Sequence, residues 1–505
     1  MEDRHVLIGR QKWGRVRAYV NVDRRLLRAG RVLNSGTSEP LIEPIVVLLC
    51  LGALGIDALV FTLSESAMSV KSCVFVGGLL LIVMAGHAIF LEVVEFRWGQ
   101  IFTAKDLFLL GSIVFLSGGT LSSLYLSQGY RHYPEKYAVL TVAYFVIGTA
   151  CFLWGYGSRE ARVGQSLVAR LPQAFTRGRL WLGALTYMVI AAIGYWQSPS
   201  YTAIGIEANP WAHLRGLLLP AGVTLTILFI RKGSTPIERI VAGILLCPTL
   251  YAFANGFSRR PMETLLLAGL AYYVLNKRLG RAAQLRFAVF AGALGVLLAL
   301  FQGWYRSVVF YGNPSEQLRA EYVGASLDQI EQDVRGGNII DSYESACAAT
   351  YIYSESRDYL HGESLWALLV NPIPRRYWPT KPLGFGYTLA QEVYGTENPT
   401  SNLGPSLEGE LFANGGLVAV IIGMWILGFL CKSYDSLLLG PYRNQSSALL
   451  HSMGLFPFFF LVRGDFLDAG YDFLISVIPL FLLFFLPLSS SEVGATRSTQ
   501  SGASR

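Results

Sequence analysis

The segment YAVLTVAYFVIGTACFLWGY, residues 137–156, contains no Asp, Glu, Lys or Arg. A helix of this length spans about 30 Å, the thickness of the hydrocarbon core of a bilayer. Similar apolar blocks recur along the 505-residue chain, of which only 15% is charged. A soluble domain carries about 25% charge. The sequence therefore predicts an all-α polytopic membrane protein.

We predict about twelve transmembrane helices, near residues 42–61, 72–94, 105–127, 137–156, 180–196, 213–230, 239–255, 262–276, 287–303, 415–431, 447–463 and 470–488. They place residues 41–488 in a single membrane domain. A basic segment, 1–40, precedes this domain and shows no cleavable signal peptide, so we expect the first apolar helix to direct insertion. A serine-rich tail, 489–505, follows and is predicted to be disordered.

The distribution of basic residues predicts the orientation. Residues 1–40 hold nine Lys/Arg against four Asp/Glu, and the loops 157–179 and 277–286 are also basic. The positive-inside rule places all three on the cytoplasmic side, so both termini are expected there. The net charge of +7 thus follows topology. It indicates contact with membrane lipids and not with nucleic acid.

The segment 303–414 is predicted to form a large periplasmic loop. Residues 303–412 carry 7 Lys/Arg and 14 Asp/Glu, so this part of the chain is net acidic. Loops of this length are usually functional. We expect short helices within it, near 315–334 and 341–358.

Seven cations fall on the predicted outer side, where the topology rule expects few: Arg259, Arg260, Arg306, Arg375, Arg376, Lys381 and Arg463. Arginine offers a rigid fork of donors that matches phosphate oxygens. Several such groups at a membrane surface favour a diphosphate ligand. The alternative is that each arginine reaches the lipid headgroups or pairs with a carboxylate of the acidic loop.

The stretch NPIPRRYWPTKPLGFG, residues 371–386, carries three of these cations among four prolines. Proline fixes φ and extends the residue before it, so we predict a stiff, non-helical arm. Tyr377 and Trp378 are amphipathic rings suited to a membrane interface or a sugar face. A stiff arm would hold Arg375 and Arg376 ready for an anion. The simpler alternative is a proline-rich surface loop.

The stretch SNLGPSLEGELFANGG, residues 401–416, supplies candidate carboxylates. Ser406 is a plausible N-cap, followed by Glu408 and Glu410 in the first turn. Either glutamate could act as a general base, or both could simply complement the helix dipole. Asp465, two residues after Arg463, is the third candidate. The sequence contains no metal-binding or nucleotide-binding motif, so neither a metal nor a cofactor is predicted.

The quoted motifs IPRRYWPTKPLGFGY and NLGPSLEGELFANGG, followed by an apolar helix, resemble the bacterial oligosaccharide repeat unit polymerases, the Wzy-type O-antigen and capsule polymerases. The resemblance covers roughly residues 256–465. It implies a membrane glycosyltransferase with GT-C-like architecture in the bacterial inner membrane, acting at the periplasmic face. Its substrates would be undecaprenyl-diphosphate-linked oligosaccharides, and the chain-length regulator and flippase of the same pathway would be partners.

The resemblance also implies residue roles. Arg375, Arg376 and Arg260 would bind the diphosphate, and Glu410 would be the base, with Glu408 as the fallback. A hydroxyl of an incoming repeat unit would attack the anomeric carbon of the growing chain. Two alternatives remain: an O-antigen ligase-like transfer to a lipid acceptor, and a transporter or flippase of lipid-linked sugars. A flippase should show internal symmetry, and none is visible.

Overall fold

Helices form where the sequence places its apolar blocks. In this computed structural model the described residues are 67–94, 103–126, 134–158, 176–197, 214–231, 234–255, 268–269, 341–371, 373, 377–394, 403–439 and 445–485. Every regular element among them is helical. They all belong to one unit of the chain, Ala53–Arg505.

The described helices, in chain order, are α1 (Ala67–Val94), α2 (Ala104–Gly111), α3 (Gly118–Leu126), α4 (Glu135–Gly157), α5 (Arg177–Gln197), α6 (Leu218–Ile230), α7 (Pro236–Asn255), α8 (Asp341–Tyr351), α9 (Glu363–Val370), α10 (Phe385–Tyr394), α11 (Ser406–Leu439), α12 (Gln445–Met453), α13 (Leu455–Leu461) and α14 (Phe466–Phe485). A π-helical turn, Ser112–Ser117, joins α2 to α3. A 3₁₀ turn, Arg215–Leu217, leads into α6.

Five helical segments are long and apolar enough to cross a membrane: Val70–Ile89, Ala104–Ser123, Glu135–Gly157, Arg177–Gln197 and Ser406–Leu438. Two further apolar segments, Arg215–Ile230 and Ser446–Leu461, are shorter. The all-helical membrane class predicted from the sequence is therefore supported. The predicted spans 42–61 and 287–303, and all but two residues of 262–276, lie outside the described residues, so the total of twelve stays a prediction.

Helices α4 and α11 make the most extensive contact in the bundle, and two glycines allow it. A Cβ atom on Gly155 would collide with the backbone carbonyl of Trp425. One on Gly428 would collide with the carbonyl of Phe152. Small residues let membrane helices approach closely, which strengthens van der Waals packing where lipid supplies no hydrophobic drive.

Helix α11 is broken near its start. Gly415 and Gly416 depart from helical geometry, and Gly416 has φ +63° and ψ −156°, a region that only glycine occupies readily. A short first limb, residues 406–414, therefore precedes the long second limb, residues 417–439. Glu408 of the first limb and Met424 of the second both contact the space beside Gly148 of α4. The two limbs thus fold into a helical hairpin against α4.

Helix α8 lies inside the bundle, although the sequence placed it in a polar outer loop. It packs against both α4 and α11. Most of its buried residues are small, among them Ala346, Cys347 and Ala349, each completely buried, and Tyr343 is buried with them. The short helix predicted near 341–358 is confirmed, and it ends in a π-helical turn, Ile352–Ser356. The helix predicted near 315–334 lies outside the described residues.

Candidate functional site

The end of the proline-rich arm, the segment before α11 and the start of α14 meet around Asp465. This buried side chain precedes α14, where one carboxylate oxygen accepts the amide proton of Asp468 at 2.8 Å, which is N-cap geometry. The other oxygen accepts the amide proton of Gly386, the last residue of the proline-rich stretch, at 3.0 Å. Asp465 therefore ties the end of the arm to the start of α14.

The segment before α11 completes this junction. The amide of Leu403 donates to the carbonyl of Gly386 at 3.1 Å. Gly404 lies so close to Arg463 that a Cβ atom there would stand 2.6 Å from the Arg463 carbonyl oxygen. Only a residue without a side chain permits this approach. The arm, the start of α11 and the residues before α14 thus form one packed junction.

Glu410, on the first limb of α11, is also completely buried, and both of its carboxylate oxygens accept hydrogen bonds. The Ser364 hydroxyl donates to one oxygen at 2.6 Å, and the amide of Phe466 donates to the other at 2.6 Å. The negative charges of Asp465 and Asp468 also act on Glu410. One bond comes from α9 and the other from the start of α14, so Glu410 links the first limb of α11 to both helices.

Two residues that the sequence analysis missed hold Glu410 in place. The Asn414 side-chain amide donates to the Ser364 hydroxyl at 2.7 Å and to the Glu410 carbonyl at 2.8 Å. Its own carbonyl oxygen accepts the amide proton of Gly362 at 2.9 Å. A single Ser or Asn carries no sequence signal of its own, so only the packing of α9 against α11 reveals these two residues.

The first limb of α11 also has its C-terminal carbonyls capped by the turn before α9. The amides of Leu360 and His361 donate to the carbonyls of Ala413 and Asn414 at 2.9 and 3.1 Å. His361 and Gly362 both have positive φ, which turns successive amides in one direction. This turn therefore fixes the end of the limb that carries both glutamates.

Lys381 is buried, and its side chain connects two parts of the arm. Its ammonium donates to the carbonyl oxygens of Asn371 and Ile373 at 2.9 and 3.1 Å. These bonds tie Lys381 to the start of the arm, at Asn371 and Ile373. The structure thus places Lys381 in a structural position. Tyr377 is 69% exposed on the arm, and Trp378 beside it is half-buried.

Of the predicted arginines, the structure describes one. Arg463 is half-buried beside the junction, with its guanidinium carbon 5.8 Å from the centre of the Phe115 ring. The other five, Arg259, Arg260, Arg306, Arg375 and Arg376, lie outside the described residues. The two arm arginines fall between Ile373 and Tyr377, which are both exposed.

Glu408 lies apart from this junction and faces α4. It is completely buried, and neither carboxylate oxygen has a hydrogen-bond partner among the described residues. The polar groups near it are its own backbone amide and the Ser406 hydroxyl. That hydroxyl also accepts the amide proton of Gly409 at 3.1 Å, which leaves its own proton available as a donor. The structure therefore brings Glu410 and Asp465 together and separates Glu408 from them.

A second buried polar cluster lies near the other end of the second limb of α11. Asp435 accepts hydrogen bonds from the amide of Ala104 at 2.7 Å and the hydroxyl of Tyr156 at 3.1 Å. Its carboxylate also meets the ring of His451 at 2.8 Å. Nineteen residues of helix separate Asp435 from Gly416, about 28 Å. No sequence motif had marked this cluster.

The fold and the site define an all-helical membrane protein with a buried carboxylate junction at one end. No protein-family model, curated protein or solved structure matches the chain. Within the described part of the chain, no group of three or more His, Cys, Asp or Glu is arranged to hold a metal ion.

Proposed function

We propose that this protein polymerises undecaprenyl-diphosphate-linked oligosaccharide repeat units at the periplasmic face of a bacterial inner membrane. The observation that supports this most is the junction around Asp465. It joins the end of the arginine-bearing arm (Gly386), the segment before α11 (Leu403) and the start of α14. The first two of these segments carry the motifs that resemble the repeat unit polymerases.

In the proposed reaction, a hydroxyl of the incoming repeat unit attacks the anomeric carbon of the growing glycan. The bond from that carbon to the diphosphate oxygen breaks, and undecaprenyl diphosphate leaves with the bonding electrons. Arg375, Arg376 and Arg260 stabilise the negative charge that develops on the diphosphate, with Arg259, Arg306 and Arg463 around them. The hydroxyl proton passes to a carboxylate base. No metal takes part in this scheme.

The arm suits this role because both of its ends are fixed. Lys381 is bonded to the start of the arm, and Asp465 holds Gly386 to α14. Arginines held in place in advance lose less conformational freedom when they bind an anion, so affinity improves.

The experiment that tests this proposal compares Arg375→Ala and Arg376→Ala with Arg357→Ala. Arg357 is an exposed arginine of the same region that pairs with Glu392 at 2.8 Å. We expect both arm variants to lose long glycan chains while single repeat units remain attached to their acceptor and membrane levels stay normal. Arg357→Ala should keep the full ladder of chain lengths on a gel.

Persistence of long chains in both arm variants would overturn the proposal. The ligase alternative gives a different pattern in the same gel. Polymer would still be built on the lipid carrier but would remain unattached.

Glu410 is the proposed base, and its two hydrogen bonds raise a competing positioning role. Glu410→Gln and Ser364→Ala distinguish the two. A base requires the carboxylate itself, so Glu410→Gln would abolish polymer formation. Ser364→Ala removes only one hydrogen bond to Glu410 and would leave most of the polymer. If Glu410 only positions the junction, each variant loses one of the two hydrogen bonds that Glu410 accepts, because glutamine has a single acceptor oxygen and alanine has no hydroxyl; one such bond is worth about 1–3 kcal/mol. They should then lower polymer to a similar degree.

A further inference from the structure

Glu408 is a buried carboxyl group that the proposed junction does not use. Its side chain fills the space beside Gly148, together with Val420 and Met424. Neither oxygen accepts a hydrogen bond from a described residue. The polar groups nearest to Glu408 are its own amide and the Ser406 hydroxyl, and neither carries a charge. Burying an ionised carboxylate without an opposite charge is costly, whereas the neutral acid is tolerated. The surroundings of Glu408 therefore favour a carboxyl group that carries a proton.

A row of hydroxyl groups leads from the neighbourhood of Glu408 along one face of α4. Tyr137, Thr141 and Tyr144 follow the four-and-three spacing that puts side chains on the same helix face, and Gly148 continues it. The hydroxyl of Thr350 on α8 lies 2.9 Å from that of Thr141 and 3.1 Å from that of Tyr144. We call Tyr137, Thr141, Tyr144 and Thr350 the hydroxyl row.

The hydroxyl row has one end at the surface and one end at Glu408. At the surface end, the Tyr137 hydroxyl donates to Glu355, which also pairs with Lys136 at 2.7 Å. The side chain of Glu355 is 48% exposed, so this end meets solvent. At the inner end, the Tyr144 ring stacks on Phe412 of the first limb of α11, with ring centres 5.1 Å apart. Tyr144 also lies one helical turn before Gly148, beside which the Glu408 side chain packs. The rest of the row is buried between α4 and α8.

We propose that Glu408 is a proton-exchange site, connected to solvent at Glu355 through the hydroxyl row. A proton leaves the Glu408 carboxyl oxygen, and each hydroxyl accepts one proton on its oxygen while passing its own onward. The proton finally reaches the Glu355 carboxylate or solvent water. The path requires one bridging water molecule at each of its two breaks, between Glu408 and Tyr144 and between Thr141 and Tyr137. Only O–H bonds form and break, and no oxidation or reduction occurs.

Infrared spectroscopy of the full-length protein in lipid nanodiscs tests this proposal without any glycan. A protonated carboxyl group gives a C=O band that shifts when its proton is replaced by deuterium. We expect such a band in the wild type and its loss in Glu408→Gln. Labelling of the wild type with dicyclohexylcarbodiimide, which adds to protonated carboxyl groups in apolar surroundings, should locate the label on Glu408 by peptide mass spectrometry.

The hydroxyl variants test the path. Thr350→Val and Tyr144→Phe keep the shape of the side chains and should keep the band, but slow its shift in D₂O at least tenfold. The matched control is Thr149→Val, which removes a buried hydroxyl of α4 that has no hydrogen-bond partner among the described residues and lies off the row. It should exchange at the wild-type rate.

Two results would overturn the proposal. If wild-type Glu408 takes no carbodiimide label and the band survives in Glu408→Gln, then Glu408 does not carry the proton. If Thr350→Val and Tyr144→Phe exchange as fast as Thr149→Val, then the proton does not use the hydroxyl row. Carbodiimide labelling and the path variants both work on protein with Glu408 intact, so a folding defect of Glu408→Gln does not affect them.

Discussion

Leu411 packs against Gly423, twelve residues further along the chain, where a Cβ atom would stand 2.6 Å from the leucine side chain. A straight helix would separate these residues by about 18 Å. The contact is possible only because α11 folds back at Gly415 and Gly416. This hairpin presents Glu408 to α4 and Glu410 to α9 and α14.

Replacing Gly416 by alanine should destabilise the hairpin. An L-residue rarely adopts φ +63° with ψ −156°, and the added methyl group would lie 2.9 Å from the Tyr359 hydroxyl. We expect a loss of about 1–3 kcal/mol from backbone strain. The midpoint of thermal unfolding in detergent measures it. Adding Tyr359→Phe removes the hydroxyl, which is the nearest atom, and leaves the ring carbon at 3.2 Å and the backbone strain, so most of the loss should remain. A double variant as stable as the wild type would contradict this explanation.

The crossing of α4 and α11 should tolerate no methyl group at its glycines. Gly155→Ala or Gly428→Ala would push a backbone carbonyl of the other helix, which we expect to cost about 1–3 kcal/mol. Gly86→Ala on α1 is the matched control, since no atom lies within 4 Å of the added Cβ. It should gain about 0.5–1 kcal/mol because alanine favours a helix. Equal midpoints for all three would refute the close crossing.

Cys347 should resist alkylation in the folded protein. It is completely buried on α8, and burial raises the pKa of its thiol to about 12. The thiolate, which is the reactive form, is therefore scarce at neutral pH. Mass spectrometry after maleimide treatment should find Cys347 unmodified until denaturant is added. A cysteine introduced at the exposed Tyr377 should react at once.

With an impermeant reagent and intact cells, the Tyr377→Cys variant also tests whether the arm faces the periplasm.

The ion pair at the surface end of the hydroxyl row should give a pH-dependent contribution to stability. Hydrogen bonds from Lys136 and Tyr137 hold the pKa of Glu355 below its usual 4.5. The folded protein therefore binds this proton less readily than the unfolded chain, so the contribution is complete above pH 4.5 and is lost as pH falls through the folded pKa. The thermal midpoint of the wild type should exceed that of Glu355→Gln at neutral pH.

That difference in midpoint should shrink as the buffer becomes acidic. Glu363→Gln, a change at an exposed residue on α9, is the control for general effects of acid. A difference between wild type and Glu355→Gln that grows on acidification would show that the pair does not stabilise the fold.

The length of the apolar blocks and the low content of charge were sufficient to predict the helical membrane class, because an apolar block of twenty residues has few other stable states. The N-cap at Ser406 and the nearness of Asp465 to the arm could be anticipated in part. The hairpin at Gly415 and Gly416 could not, because two glycines are compatible with a straight helix and with a turn. Nor could the burial of α8, whose small residues give almost no hydropathy signal yet fit closely between α4 and α11.

The cluster at Asp435 has a consequence for how the chain assembles. The first amides of α2, at Ala104 and Lys105, are satisfied inside the bundle by a carboxylate that follows Ala104 by 331 residues. At a synthesis rate of about 5–20 residues per second, α2 waits roughly 20–60 seconds for Asp435 to be made. Until then the start of this helix must remain hydrated or be held by another factor. The bundle can therefore be completed only after the C-terminal third of the chain has been made.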